Sequence, residues 1–141
     1  MLLRPKRTLY RKLKKSYLTN QLVETKNNTL KFGRYGIKVL EATRMTARQI
    51  ESIRQCVNRN LKRKGKLWIT IFPHIPVTQK PTENRMGKGK GAIAFWTSQV
   101  EAGQILFELT TNSPDIALQA SKTISRMASI PVCLIKKEQP L

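Results

Sequence analysis

The chain has 141 residues, a formal net charge of +19 and 40% hydrophobic residues. That length fits a single domain, and the apolar content supports a real but modest core. Two cysteines and one histidine exclude a disulfide framework and a zinc set, no apolar run approaches the ~18 residues of a membrane span, and so high a charge points to a polyanion as partner.

The charge is concentrated. Residues 1–90 hold 23 of the 27 basic residues and four of the eight acids, so residues 91–141 are electrically neutral. A protein that lays one face on nucleic acid requires such an asymmetry, whereas a cytosolic enzyme rarely shows it. The chain divides into a basic N-terminal arm and polar loop over 1–29, and an α+β domain over 30–141.

The opening Met1–Leu18, MLLRPKRTLYRKLKKSYL, carries seven basic residues in its first fifteen and no acid. Its composition suits an organellar presequence and a permanent basic arm equally well. Thr19–Thr29 is polar, with Asn27-Asn28 as a turn signal. Leu30–Glu41 reads as extended, and Gly33 and Gly36 within it predict a bulge or the close approach of another backbone. Thr46, with Gln49 three residues on, forms a capping box that opens the clearest helix. Ile50, Ile53, Val57 and Leu61 fall within about 80° of arc as its apolar stripe, and Gly65 is the predicted stop. Arg48, Arg59, Lys62 and Arg63 lie on the opposite side, so one face packs and the other is cationic.

Leu67–Phe72 alternates as a strand, broken by Pro73 and Pro76, with Val77–Lys80 as a further short extended piece. Ala92–Gln99 and Gln104–Thr110 read as a hairpin turning at Gly103. Ser113-Pro114-Asp115 starts a second helix whose shared face is Ile116, Ala120, Ile124 and Met127, ended by Pro131. Val132–Lys136 is a last strand. Cys133 reads as core and Cys56 as a flanking helix position. The order β-α-β-β-β-α-β predicts one compact α+β domain, two helices on mainly antiparallel sheet.

Catalysis finds little support. His74 lies between prolines with no acid or nucleophile beside it, and the eight carboxylates show no spacing suited to acid–base work. The sharpest local signal is Arg85-Met86-Gly87-Lys88-Gly89-Lys90-Gly91. It departs from the nucleotide-triphosphatase loop, because Lys90 is followed by Gly91 and a strand. Three glycines alternating with lysines make a cationic loop able to approach a phosphate backbone closely. The plainer alternative is a hairpin connection with incidental lysines.

PKRTLYRK (Pro5–Lys12), FGRYGIK (Phe32–Lys38), TARQIE (Thr46–Glu51), GKLWITIFP (Gly65–Pro73), KPTENRMGKGKG (Lys80–Gly91) and GQILFEL (Gly103–Leu109) together resemble the large-subunit ribosomal protein sixteen family of the bacterial type. The resemblance covers nearly the whole chain. It implies an α+β fold, binding to large-subunit ribosomal RNA, a part in late subunit assembly, and a position beside the aminoacyl-tRNA site. It also implies that residues 1–15 are the family's own RNA-binding arm and not a removed presequence. Two stretches depart from the family: TNQLVETKNNTL replaces a glycine-rich basic segment, and LEATRM (Leu40–Met45) keeps Arg44 as its only basic residue. FGRYG and PTENRMGKGKG are closer to mitochondrial members, and the lysine- and asparagine-rich loops suit an AT-rich organelle genome.

The expected ribosomal RNA contacts are Arg4, Lys6, Arg7, Arg11, Lys12, Lys14 and Lys15 of the arm, with Arg34 and Arg44. They continue through Arg48, Arg59, Lys62, Arg63, Lys64 and Lys66 around the first helix. Lys80, Arg85, Met86, Gly87, Lys88, Gly89, Lys90 and Gly91 form the loop that the resemblance places nearest tRNA. The expected partners are large-subunit ribosomal RNA, tRNA at the aminoacyl site and neighbouring large-subunit proteins, with no membrane, homo-oligomer, metal or cofactor. The expected location is the mitochondrial matrix, with plastid and bacterial cytoplasm as alternatives. The rival function is an RNA-modifying or hydrolytic enzyme, which would need a pocket with a positioned base or nucleophile. A free-standing RNA chaperone is a third reading, separated from the first by stoichiometry on the large subunit.

Overall fold

The computed structural model describes residues 3–14, 28–62 and 64–137. Among them the elements run β1 (Tyr35–Val39), β2 (Thr43–Thr46), α1 (Ala47–Leu61), β3 (Gly65–Ile69), β4 (Ile75–Gln79), β5 (Ala92–Val100), β6 (Ile105–Thr111), α2 (Pro114–Ala128) and β7 (Val132–Lys136). The strands form two antiparallel sheets, one ordered β3-β6-β1-β7 and the other β2-β5-β4. The α+β class expected from the sequence holds.

Local chemistry explains α1. Thr46 Oγ1 accepts from the Gln49 backbone N–H at 3.2 Å, and Gln49 Oε1 accepts from the Thr46 N–H at 2.8 Å, closing the capping box. Ile50, Ile53, Val57 and Leu61 are buried while Arg48, Arg59 and Lys62 are exposed, so both faces lie where the sequence puts them. The stop differs. Lys62 adopts the left-handed conformation (φ 44°, ψ 39°) and caps the helix itself. Gly65 instead opens β3, where a Cβ would stand 2.5 Å from Thr110 O, so the glycine serves strand approach.

β5 and β6 do not form the expected hairpin. β5 pairs with β2 and β4, whereas β6 pairs with β1 and β3. The turn between them is held by β1: the Gly103 N–H donates to Val39 O at 2.8 Å, and the Val39 N–H donates to Gln104 O at 3.0 Å. A backbone outside the local pair thus captures the turn, and the chain changes sheets there. The actual hairpin is β4–β5, whose connection is the glycine–lysine segment. Pro76 is tolerated within β4 because β4 is an edge strand.

In α2 the buried face is Ala117, Ala120, Ile124 and Ala128, with Met127 exposed at 37%. The small alanines let α2 come close to α1, so the contact face is centred one residue away from the stripe that bulk alone suggests. Cys133, expected in the core, is exposed on β7, the last strand of its sheet. Edge position decides against burial there. Cys56 is half-buried, as expected.

Gly33 meets its expectation of a close approach. A Cβ there would stand 2.8 Å from Leu109 N and 2.9 Å from Leu109 O. The segment it belongs to is fastened by one buried carboxylate. On β6, Ile105 to Leu109 are all buried, so any polar group among them must find partners inside the protein. Glu108 does so: Oε2 accepts from the Phe32 N–H at 2.6 Å and the Gly33 N–H at 2.7 Å, and Oε1 from the Lys31 N–H at 3.1 Å.

Candidate nucleic-acid interface

The sequence-predicted cations gather in a few places. Arg4, Lys6, Arg7, Arg11, Lys12 and Lys14 are exposed along the arm, but the arm is attached to the domain at two points. Leu3 is buried in the main core cluster. Further along, Lys12 Nζ donates to Lys90 O at 2.7 Å, and Lys90 Nζ donates in return to Leu13 O. Two lysines thus clasp arm and loop through each other's backbone.

Beside this clasp, Lys14, Arg44 and Lys90 line a cavity of about 120 Å³ floored by Ile75, Pro76 and Val77. Three cations at one small opening suit a phosphate group. On another side, Arg4 of the arm and Arg48 of α1 line one shallow groove with Leu3, Glu51 and Phe95. Arg34 and Lys66 flank Thr110 of β6, the Arg34 N–H donating to Thr110 Oγ1 at 3.4 Å and Lys66 being the register partner of Thr110. Arg59, Lys62 and Lys64 cluster at the C-terminal end of α1, the end of the helix dipole that favours cations. Lys15 and Arg63 lie outside the described residues.

Arg54 is a useful contrast, being basic but already engaged. Its Nη2 and Nε donate to Glu51 Oε1 at 2.6 Å and Oε2 at 2.9 Å. Hydrogen bonding from Arg54 holds the Glu51 carboxyl down at about 2, against the opposing effect of burial.

Residues 81–90 are exposed throughout. The backbone takes positive φ at Gly87 (99°), Lys88 (54°) and Gly89 (82°), and a Cβ at either glycine would meet open space. Here glycine is required by conformation, not by crowding. At Gly91 the reason reverses, for a Cβ would stand 2.5 Å from Gln79 O. The loop's cations divide by role. Lys80 Nζ donates to Gly87 O at 2.5 Å and Lys90 is bound into the clasp, while Arg85, Met86 and Lys88 are presented outward.

Some features escaped the sequence reading: the Glu108 anchor, the clasp, and an aromatic pair of exposed Phe32 and half-buried Trp68. Phe32 stacks on Trp68 with ring centroids 6.3 Å apart and an interplanar angle of 19°. The one available signal was Phe32 flanked by Lys31 and Arg34, an aromatic interleaved with basic residues. His74 is an exposed loop residue whose Nδ1 lies 3.1 Å from Phe72 O. Among the described residues no group of three or more metal-ligating side chains occurs, and no helix is long and apolar enough to cross a membrane.

Comparison with known proteins agrees with this geometry. The family described as ribosomal protein L16p/L10e matches residues 5–132. The large ribosomal subunit protein uL16 of Hyphomonas neptunium is 50% identical over 119 residues, covering 84% of this chain and 85% of its own length. That of Francisella tularensis subsp. novicida is 39% identical over 137 residues, covering 97% and 98%. A match of this extent reaches from the arm through the clasp and loop to the last strand, and the chain therefore belongs to the ribosomal protein L16p/L10e family, whose role is structural and not enzymatic.

Proposed function

We propose that the chain is a structural constituent of the large ribosomal subunit that binds large-subunit ribosomal RNA beside the aminoacyl-tRNA site. The arm over 1–29 and the domain over 30–141 work together. Cations of the arm, of α1 and of Arg34, Arg44, Lys64 and Lys66 neutralise RNA phosphates, and the loop faces tRNA. The observation that carries this reading is the clasp, which draws Lys14, Arg44 and Lys90 from three separate segments to one small cavity. Like charges brought together in space repel one another, and their convergence is best relieved by a phosphate. Neighbouring large-subunit proteins complete the set of partners. The chain acts in the mitochondrial matrix, a placement supported by FGRYG and PTENRMGKGKG and by the lysine- and asparagine-rich loops. The location of the gene decides between this and the bacterial cytoplasm suggested by the relatives, or a plastid.

The division of roles in the loop supplies the test. Subunits carrying Arg85→Ala with Lys88→Ala should incorporate the protein normally and bind aminoacyl-tRNA several-fold more weakly. Lys90→Ala should instead reduce incorporation, because it removes the clasp bond to Leu13 O and loosens the arm's attachment beside the loop. Normal aminoacyl-tRNA binding and peptide synthesis by the Arg85/Lys88 double variant would reduce the loop to a hairpin connection.

A further inference from the structure

Phe32 is an exposed aromatic held with unusual firmness. It is 63% exposed, yet its own N–H and those of both neighbours are fixed to the buried Glu108 carboxylate. Gly33 lies against the Leu109 backbone, where a Cβ would stand 2.8 Å from Leu109 N. A side chain kept for the core would be buried, and a solvated loop would need no such anchor. The ring is stacked on half-buried Trp68, and Lys66 Nζ lies 5.1 Å from the Trp68 ring centroid. Lys31 and Arg34, both exposed, flank Phe32 closely in the chain, so basic residues accompany both rings.

From this arrangement we infer that Phe32 and Trp68 form a stacking platform for one unpaired base of RNA. The inference rests on the RNA-binding reading above and adds the mode of contact. An aromatic face presented to solvent accepts any base by stacking, while adjacent cations hold the flanking phosphates. Base-paired RNA offers no free base face and does not use the platform. Because Glu108 sets the Phe32 backbone in advance, little ordering entropy is lost on binding.

The test uses the full chain with a short single-stranded oligoadenylate and a duplex RNA, each titrated at several salt concentrations. Phe32→Ala should weaken oligoadenylate binding by about five-fold or more. Its salt dependence should be unchanged and duplex affinity unaffected, while Phe32→Tyr retains full affinity. Lys66→Ala should lower affinity and flatten the salt dependence for both RNAs. Phe32→Leu, which keeps apolar bulk without a ring face, should behave as Phe32→Ala and guards against a folding artefact. Equal affinity of wild type and Phe32→Ala for oligoadenylate would overturn the platform while leaving RNA binding standing. So would an equal loss on both RNAs. Failure of the wild type to bind either RNA would overturn the platform and the reading beneath it. Binding to polyglutamate in place of RNA would assign the surface to an acidic protein neighbour, and would also overturn it.

Discussion

Ile53→Asp is expected to abolish the cooperative unfolding transition of this protein. Ile53 is fully buried in the middle of the α1 stripe, with Ile50, Val57 and Leu61 on the same face. Substitution removes an apolar side chain worth about 2–5 kcal/mol on truncation and inserts a carboxylate with no partner. Domains of this size hold only about 5–15 kcal/mol in total. The fold should be lost. On the same helix, Arg48→Ala with Arg59→Ala should shift stability by no more than about 0.5 kcal/mol, since both side chains are exposed. That pair should instead weaken RNA binding and flatten its salt dependence. Circular dichroism melting of the two variants separates the faces, and equal destabilisation would show that the cationic face is structural.

Glu108→Ala should produce the next largest loss, about 3–6 kcal/mol in chemical denaturation. It strands the N–H groups of Lys31, Phe32 and Gly33, which all donate to this carboxylate. A buried donor left without an acceptor costs about 1–3 kcal/mol, in full for Gly33 and in part for the half-buried bonds of Lys31 and Phe32. Glu108→Gln keeps the shape and one acceptor oxygen but turns an amide donor toward other donors, so its loss should be about half as large. Unchanged stability of Glu108→Ala would mean that the carboxylate does not fix the 31–33 segment.

How far the sequence foretold the structure depends on the range of the interaction. α1 was legible down to its cap and both faces, because the capping box and the 3.6-residue stripe are written within fifteen residues. The sheet pairing was not. Gly103 signals a turn, and a turn between two strands ordinarily means a hairpin, yet β1 occupies the turn's hydrogen-bonding groups. No local pattern announces that. Four-residue β2 carries no assignment from sequence apart from Thr46 as the helix cap, since the extended segment ends at Glu41. In α2 the packed face was chosen by alanines small enough for close approach, where hydrophobicity alone favoured Met127.

The interface followed the same rule. Among the described residues the basic positions named from sequence are exposed, because charge and solvent exposure travel together, with half-buried Arg44 the exception. Their grouping depended on contacts between residues 75 to 78 positions apart, among them Lys12 with Lys90 and Phe32 with Glu108. Arg54 and Arg59 look alike in sequence, but Glu51 holds one of them. The glycines needed structure as well, since Gly87 serves conformation and Gly91 serves space.

The expected role of this chain is that of a stoichiometric, structural part of the large ribosomal subunit. Its most direct test is sedimentation of ribosomes from cells expressing the full chain, after washing at moderate salt, with the protein quantified against subunit RNA in each fraction. Close to one copy per large subunit, absent from the small subunit and from free RNA, is the predicted result. A chain that stays at the top of the gradient, or that distributes substoichiometrically over unrelated RNAs, would contradict it.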